Sequence, residues 1–254
     1  MATTTQPRLR TLTPAQVDEY HANGFLIVED FISPEERRLL IDHFMSIHAG
    51  RKQVEGISAR DPASPPSVYW QRYFNTHRID ELSMRYLKLP RAGDALYDLM
   101  GYEPVGIQSM FFFKAPGTPG QAYHQDTNYI PSDPETLTAC WIALDDADEE
   151  TGTMWVVPGS NNGPLLKRKP VTDTDEHEDW TDELDGVDYS KEVPVIVRAG
   201  GAVFFHGRLM HQSRKNRTAD RFRRVYVCHY VARGATVERK DLQEQIPFDH
   251  FHTM

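Results

Sequence analysis

Cysteine is scarce: the 254 residues include two, Cys140 and Cys228. Both lie in apolar runs with no CxxC spacing, which excludes a disulfide framework and suits small buried hydrophobes in a reducing compartment. Long apolar runs are missing as well. No window approaches the ~20 residues of a membrane-spanning helix, and the opening MATTTQPRLR lacks the apolar core of a secretory signal. Basic charge is also short, with 28 Lys plus Arg against 37 Asp plus Glu and a formal net charge of -9. Such a chain does not coat nucleic acid or an anionic membrane by bulk electrostatics. The expectation is a cytoplasmic protein that meets a small molecule, with neither nucleic acid nor membrane as partner.

What is present is ordinary for a globular chain: 39% hydrophobic and 26% charged residues. The charge is uneven. Residues 171–192 hold ten acids, from Asp173 to Glu192, and a single base, Lys191, so this segment carries the whole net charge while the remaining 27 bases and 27 acids cancel.

Helix signals come first. Thr13-Pro14-Ala15-Gln16 and Ser33-Pro34-Glu35-Glu36 both place a hydroxyl cap, a proline and a Gln or Glu at capping-box spacing. The first predicts a short helix ending near Asn23-Gly24, followed by a buried strand over 24–28. The second opens a longer helix, with Leu40, Phe44 and Ile47 on one face, that stops near Gly50. Residues 51–66 read as a loop, and one or two helices fall within 79–100. After Pro104 the texture changes to short β-rich runs at 105–113, 122–126, 137–144, 154–157, 193–197, 202–205 and 222–231, separated by Gly/Pro turns. A jelly roll closes that many short strands. The expected fold is mainly β: a double-stranded β-helix (jelly roll, cupin-like) with N-terminal helices packed on a sheet. It forms one domain over 1–254, with a helical part at 1–104, a core at 105–232 and a tail at 233–254.

His124-Gln125-Asp126 falls in the run 122–126. Residues two apart on a strand face the same way, so the imidazole and the carboxylate can converge on one metal. In a chain with eleven histidines this pair is a weak signal alone. A second histidine late in the β-region strengthens it, because two neutral nitrogens and one carboxylate leave open positions that suit non-haem Fe(II). His206 and His211 both qualify as that second histidine, and spacing does not decide between them.

Three stretches then point to a family. HQDTNYIP, CWIALDDADEETGTMWVVPGSN and GGAVFFHGRLMHQSRKNRTADRFRR, together with the opening LTPAQVDEYHANGFLIVEDFISPEERRLL, resemble the phytanoyl-CoA dioxygenase family of Fe(II)/2-oxoglutarate-dependent oxygenases. The resemblance implies that His124, Asp126 and His211 hold Fe(II), since His211-Gln212-Ser213 followed by Asn216 matches the family's pattern; His206 becomes a neighbour lining the pocket. It implies that Arg223 pairs with the distal carboxylate of 2-oxoglutarate, which needs a permanently charged bidentate partner. The turn from Asn216 to Arg221 is one residue longer than the common pattern, so Arg221 and Arg224 stay open. Met110, Gln125, Trp141 and Ser213 match positions that line the cosubstrate pocket. Gln108 joins them by sharing a strand face with Met110. O2 is the third participant, with succinate and CO2 released. In related halogenating enzymes a small residue replaces the carboxylate; the presence of Asp126 favours hydroxylation or another oxidation over halogenation. The rival is a metal-binding cupin-type isomerase or binding protein, which would need no Arg223.

Two segments are candidates for substrate contact. Residues 171–192 read as a lid over the barrel mouth, or as a solvated loop; at the mouth their acids would disfavour an acyl-CoA and suit a neutral or amine-bearing molecule. Residues 68–75 (VYWQRYFN) offer aromatic surface with one arginine, equally suited to ligand contact and to helix-to-sheet packing.

Overall fold

The computed structural model describes residues 9–58 and 60–251. The first eight residues of the opening stretch, Ala59 in the 51–66 loop and the last three residues of the tail lie outside the described residues.

Both capping boxes form. Helix α1 (Pro14–Asn23) begins at Thr13, whose hydroxyl accepts from the Gln16 N–H while the Gln16 carboxamide oxygen accepts from the Thr13 N–H. Helix α2 (Pro34–His48) opens in the same way on Ser33 and Glu36. Each box satisfies amides that a first helical turn leaves without partners. Strand β1 (Phe25–Val28) lies between them, entered through Gly24, whose φ of +83° closes α1. The one-turn α3 (Pro66–Tyr69) and the short β2 (Tyr73–Phe74) follow, then α4 (Glu81–Leu87) and α5 (Pro90–Met100).

From Pro104 onward the chain is β-structure. The strands are β3 (Pro104–Phe112), β4 (Ser132–Asp133), β5 (Thr138–Ala143), β6 (Met154–Val156), β7 (Arg168–Pro170) and β8 (Asp182–Leu184). They continue as β9 (Val193–Pro194), β10 (Ala202–His206), β11 (His211–Ser213), β12 (Val225–Ala232), β13 (Thr236–Val237) and β14 (Ile246–Pro247). The major sheet is antiparallel in the order β1-β10-β5-β12-β3-β14, with β2 also paired to β3; the minor sheet is β11-β6-β9. These two sheets are the walls of a jelly roll.

Period-two alternation sorts the side chains between two cores. On β12, Val225 and Val227 face the minor sheet, joining Ala139, Trp141 and Ala143 of β5 and Met154 and Val156 of β6. Tyr226, Cys228 and Tyr230 face the other way, onto Leu40, Phe44, Leu87 and Leu96 of the helices. Cys140 and Cys228 stand opposite each other on neighbouring strands in this outer core, both free. Phe44 stacks on Phe111 at 4.0 Å between ring centroids. The hydroxyls of Tyr226 and Tyr230 donate to the carbonyls of Ser83 and Leu87, so β12 holds α4 by polar as well as apolar contact. The helices thus cover one face of the major sheet and leave its other face to the barrel interior.

Three sequence expectations change. Residues 122–126 are not a strand: His124 makes an isolated bridge to His211, and Asp126 opens a 3-10 turn (Asp126–Asn128). The reason is local, because the Ala122 carbonyl accepts from the His124 imidazole and is not used to extend a ladder. The run expected at 222–231 starts at Val225, since the Arg224 N–H is taken by the Asp145 carboxylate. Residues 171–192 are not plain loop; they contain β8, which pairs with β7. No helix among the described residues is long and apolar enough to cross a membrane.

Candidate active site

The barrel interior opens as a cavity of about 290 Å³ whose floor is formed by His124, Asp126 and His211. Their ligating atoms all lie within 4.8 Å of one another, and all three residues are buried. His124 Nε2 and His211 Nε2 stand 3.6 and 3.8 Å from Asp126 Oδ1. Each imidazole is oriented from behind: Nδ1 of His124 bonds the Ala122 carbonyl at 2.8 Å, and Nδ1 of His211 bonds the Leu209 carbonyl at 2.9 Å. A carbonyl only accepts, so Nδ1 carries the hydrogen in both rings and the two Nε2 lone pairs point inward.

Electrostatics agree with that arrangement. Burial, helped by His211, pushes His124 down to about 3, so the ring is neutral at physiological pH. Burial alone would raise Asp126, but His211, His229 and His124 hold its carboxyl well below the usual range. Two neutral nitrogens and one carboxylate, with open space in front, form a donor set that fits a divalent iron and leaves positions for a chelating cosubstrate. His206 does not reach this site. Its Nδ1 accepts from the Arg208 N–H at 3.0 Å, and it is absent from the cavity wall. Its expected role as a pocket residue is therefore corrected; it is the last residue of β10, beside Thr138 of β5.

Arg223 enters the same cavity from the strand side, 3% exposed. Its guanidinium carbon is 5.5 Å from the Trp141 ring, and its Nε has no hydrogen-bond partner among the described residues. No carboxylate of the described residues forms an ion pair with it, whereas Arg221 pairs with Asp148 and Glu150 and Arg224 with Asp145. Burial and the neighbouring Arg72 push Arg223 down to about 10, which leaves it cationic at neutral pH. A buried cation without a counter-ion is costly, so this pocket is built to receive an anion.

Gln108, Met110, Trp141 and Ser213 line the cavity with the triad and Arg223. Gln125 does not. Its side chain is fully buried behind the floor, donating to the Pro164 and Arg208 carbonyls and accepting from the Leu166 N–H. His124 and Asp126 point inward, so the residue between them points out; Gln125 braces the loop that carries the two ligands.

One cavity residue, His229, was not anticipated. His229 places Nε2 3.0 Å from Asp126 Oδ2 and is 3% exposed. The alternation that brings Arg223, Val225 and Val227 inward continues to 229, and that signal could have found it. The 68–75 stretch divides: Trp70 stacks on His48 at 4.4 Å and Tyr73 packs against Phe113, while Arg72 and Phe74 line the cavity. From the acidic segment, Trp180, Thr181 and Asp182 reach the cavity as well. Gly120 anchors that segment, its N–H donating to the Glu176 carbonyl and its own carbonyl accepting from the Glu178 N–H. A Cβ on Gly120 would sit 1.7 Å from the Ser213 carbonyl oxygen, so only glycine fits there.

The acids of residues 171–192 are largely spent on bases of the surrounding chain. Glu178 pairs with Arg72, Glu176 with Arg217, Asp182 with Arg168, Glu183 and Asp185 with Lys169, and Glu192 with Arg214. The segment is stapled to the barrel, and the field that its sequence suggested at the mouth is mostly compensated.

A family model for phytanoyl-CoA dioxygenase (PhyH) matches residues 20–225. The chain belongs to that family. It is 29% identical over 243 residues to phytanoyl-CoA dioxygenase 1 of Oryza sativa subsp. japonica, covering 83% of this chain and 86% of the relative. Among solved structures it is similar to the epimerase SnoN in complex with Fe3+, alpha ketoglutarate and nogalamycin RO, with a TM-score of 0.69, 19% identity and coverage of 92% of this chain and 94% of that one. It is also similar to EvdO2 of Micromonospora carbonacea var. aurantiaca complexed with 2-oxoglutarate, with a TM-score of 0.67, 19% identity and coverage of 89% and 93%. At those identities the two structures speak for the fold.

Proposed function

We propose that this protein is an Fe(II)- and 2-oxoglutarate-dependent dioxygenase that hydroxylates an unactivated C–H bond of a small organic substrate. The observation that carries the reading is the pairing, in one cavity, of an inward-facing His/Asp/His donor set with the buried, uncompensated Arg223. A metal-binding cupin without oxygenase activity has no use for that arginine. SnoN and EvdO2, which share the fold, are seen with Fe3+ and alpha ketoglutarate and with 2-oxoglutarate respectively.

His124, Asp126 and His211 would hold the iron, which supplies O2 activation coupled to oxidative decarboxylation of 2-oxoglutarate. The balance is substrate R–H plus 2-oxoglutarate plus O2 giving R–OH, succinate and CO2. The Ala122 and Leu209 carbonyls fix the tautomers of the two histidines, and His229 steadies the outer oxygen of Asp126. Arg223 takes the distal carboxylate of the cosubstrate, with Ser213 and Gln108 as polar neighbours and Met110 and Trp141 as walls that exclude water. Asp126 would be a third protein ligand to the iron, which favours oxidation of the substrate over transfer of an added anion.

Anaerobic titration of the protein with Fe(II) and then 2-oxoglutarate tests the reading. A weak visible charge-transfer band of the chelate is expected, and it should be lost in Arg223→Gln at the same cosubstrate concentration. Well-folded protein that binds Fe(II) and develops no band at any 2-oxoglutarate concentration would support the cupin-type reading instead.

A further inference from the structure

We propose that the substrate is an uncharged molecule that lays an apolar face on Phe74 and Trp180, and that these two side chains set specificity at the mouth of the cavity. The inference rests on the oxygenase reading above, and it departs from the coenzyme A thioester in the family's name.

Charge accounting comes first. Besides Asp126 and Arg223, which the iron and the cosubstrate would engage, the charged side chains lining the cavity are Arg72, Asp182 and Arg239. Arg72 is held by Glu178 and by Gln121, whose carboxamide oxygen is 3.0 Å away. Asp182 pairs with Arg168 at 3.2 Å and Arg239 with Asp241 at 2.8 Å. Every one of these charges already has an opposite partner from this chain. A phosphate, carboxylate or ammonium on the substrate would meet side chains whose charge already has an opposite partner, so its desolvation is offset by little Coulombic gain. Coenzyme A carries several phosphate charges and would meet that mismatch at each of them.

Apolar surface points the same way. Phe74 is 47% exposed and Trp180 56% exposed, and both border the cavity. One comes from the strand before the barrel and the other from the acidic segment, so two separate elements deliver an exposed ring to one opening. They are gathered around a single pinned group: the Arg72 guanidinium carbon lies 5.9 Å from the Phe74 ring, 4.3 Å from Phe112 and 4.9 Å from Trp180. Arg72 therefore acts as a spacer that holds the rings apart by cation–π contact, with its hydrogen bonds directed away into Gln121 and Glu178. Large exposed aromatic side chains clustered at one opening mark a place where a ligand's apolar surface is removed from water.

The test uses a matched set on one carbon skeleton: naphthylethanol, naphthylacetate, naphthylethylamine and naphthylacetyl-coenzyme A. Each is titrated calorimetrically, without oxygen, into protein loaded with Fe(II) and 2-oxoglutarate. The uncharged alcohol should bind at least about tenfold tighter than each charged member. Phe74→Ala and Trp180→Ala should each weaken the alcohol by about fivefold or more, with 2-oxoglutarate binding unchanged, and Trp180→Phe should retain most of the affinity. Both side chains are half exposed, so these variants fold. Equal or tighter binding of any charged member, failure of the alcohol to bind at millimolar concentration, or indifference of the alcohol to both alanine variants would overturn the proposal. The chelate band separates the two ideas. A missing band with the alcohol preference intact removes the oxygenase reading alone, and a normal band with a charged preference removes this one alone.

Discussion

His229 Nε2 lies 3.0 Å from Asp126 Oδ2, on the side of the carboxylate turned away from the two ligand histidines, whose nearest distances are to Oδ1. Asp126 is held ionised by its neighbours and can only accept, so Nε2 of His229 carries the hydrogen. One oxygen of the carboxylate is thereby immobilised while the other stays free for a metal. His229 acts through Asp126 as a positioning residue.

His229→Phe should weaken metal binding by about 10- to 100-fold, the range found when such outer partners of a ligand are removed. His229→Gln, which retains an N–H donor, should recover part of the loss. Competition of Co(II) or Fe(II) against a chelating indicator measures both without any turnover. Equal metal affinity in His229→Phe and the parent protein would show that His229 merely fills space.

Arg223→Gln should raise the dissociation constant for 2-oxoglutarate by about 100-fold, the consequence of removing the charged partner of a buried carboxylate. Arg221→Gln and Arg224→Gln should leave it within a few-fold, because their ion pairs with Asp148 and Asp145 lie outside the cavity. In thermal melts the parent protein should gain stability as 2-oxoglutarate is added, while Arg223→Gln should not. Without cosubstrate that variant should be no less stable than the parent, since an uncompensated buried cation has been removed. A cosubstrate affinity that falls most in Arg221→Gln or Arg224→Gln would reassign the carboxylate site.

The two late histidines separate in a direct comparison. His211→Ala should abolish 2-oxoglutarate consumption and lower metal occupancy, whereas His206→Ala should retain consumption, because His206 bonds the Arg208 N–H and does not line the cavity. Succinate release and metal content are the measurements. The opposite ranking would move the ligand to His206.

Stability should fall as pH is lowered from about 6.5 towards 4. His48 is buried among Tyr69, Trp70 and Phe113 with neither ring nitrogen bonded among the described residues, and burial pushes it down to about 4. His77, bonded through Nδ1 to Ser109, is pushed to about 4 for the same reason. Both are neutral in the fold, so the unfolded chain takes up protons first once pH drops below 6.5, and each group then contributes at most ~1.4 kcal/mol of lost stability per pH unit. His48→Phe removes one titration and should flatten the dependence: the variant gains on the parent at pH 5 relative to pH 7. Parallel denaturation curves at the two pH values would exclude His48 as a contributor.

Much of the scaffold was readable because its signals are local. Thr13 and Ser33 each sit three residues before a Gln or Glu, and both capping boxes formed as written. The β-rich runs at 105–113 and 137–144 predicted strands, which appear as β3 and β5 with ends shifted by a residue. Such runs were less reliable where a side chain bonds its own backbone. Residues 122–126 read as a strand, yet the His124 imidazole occupies the Ala122 carbonyl and the chain turns at Asp126. The inference that His124 and Asp126 share a side survived the loss of the strand. The transfer of Gln125 to the cosubstrate pocket did not, since a residue between two inward ones faces outward.

By itself the sequence determined the periodicities, the helix starts, the uneven charge and, through its motifs, the family; all of these are properties of neighbouring residues or of their order. Tertiary structure decided which of eleven histidines meet. His124, Asp126, His211 and His229 are separated by up to 105 positions, and only sheet pairing brings them within a few ångströms. It also decided the meaning of the acidic segment. A run carrying a net charge of -9 loses more than half of it to Arg72, Arg168, Lys169, Arg214 and Arg217, which fold onto it. Charge falls off with distance in space, and distance in space is what the linear chain does not record.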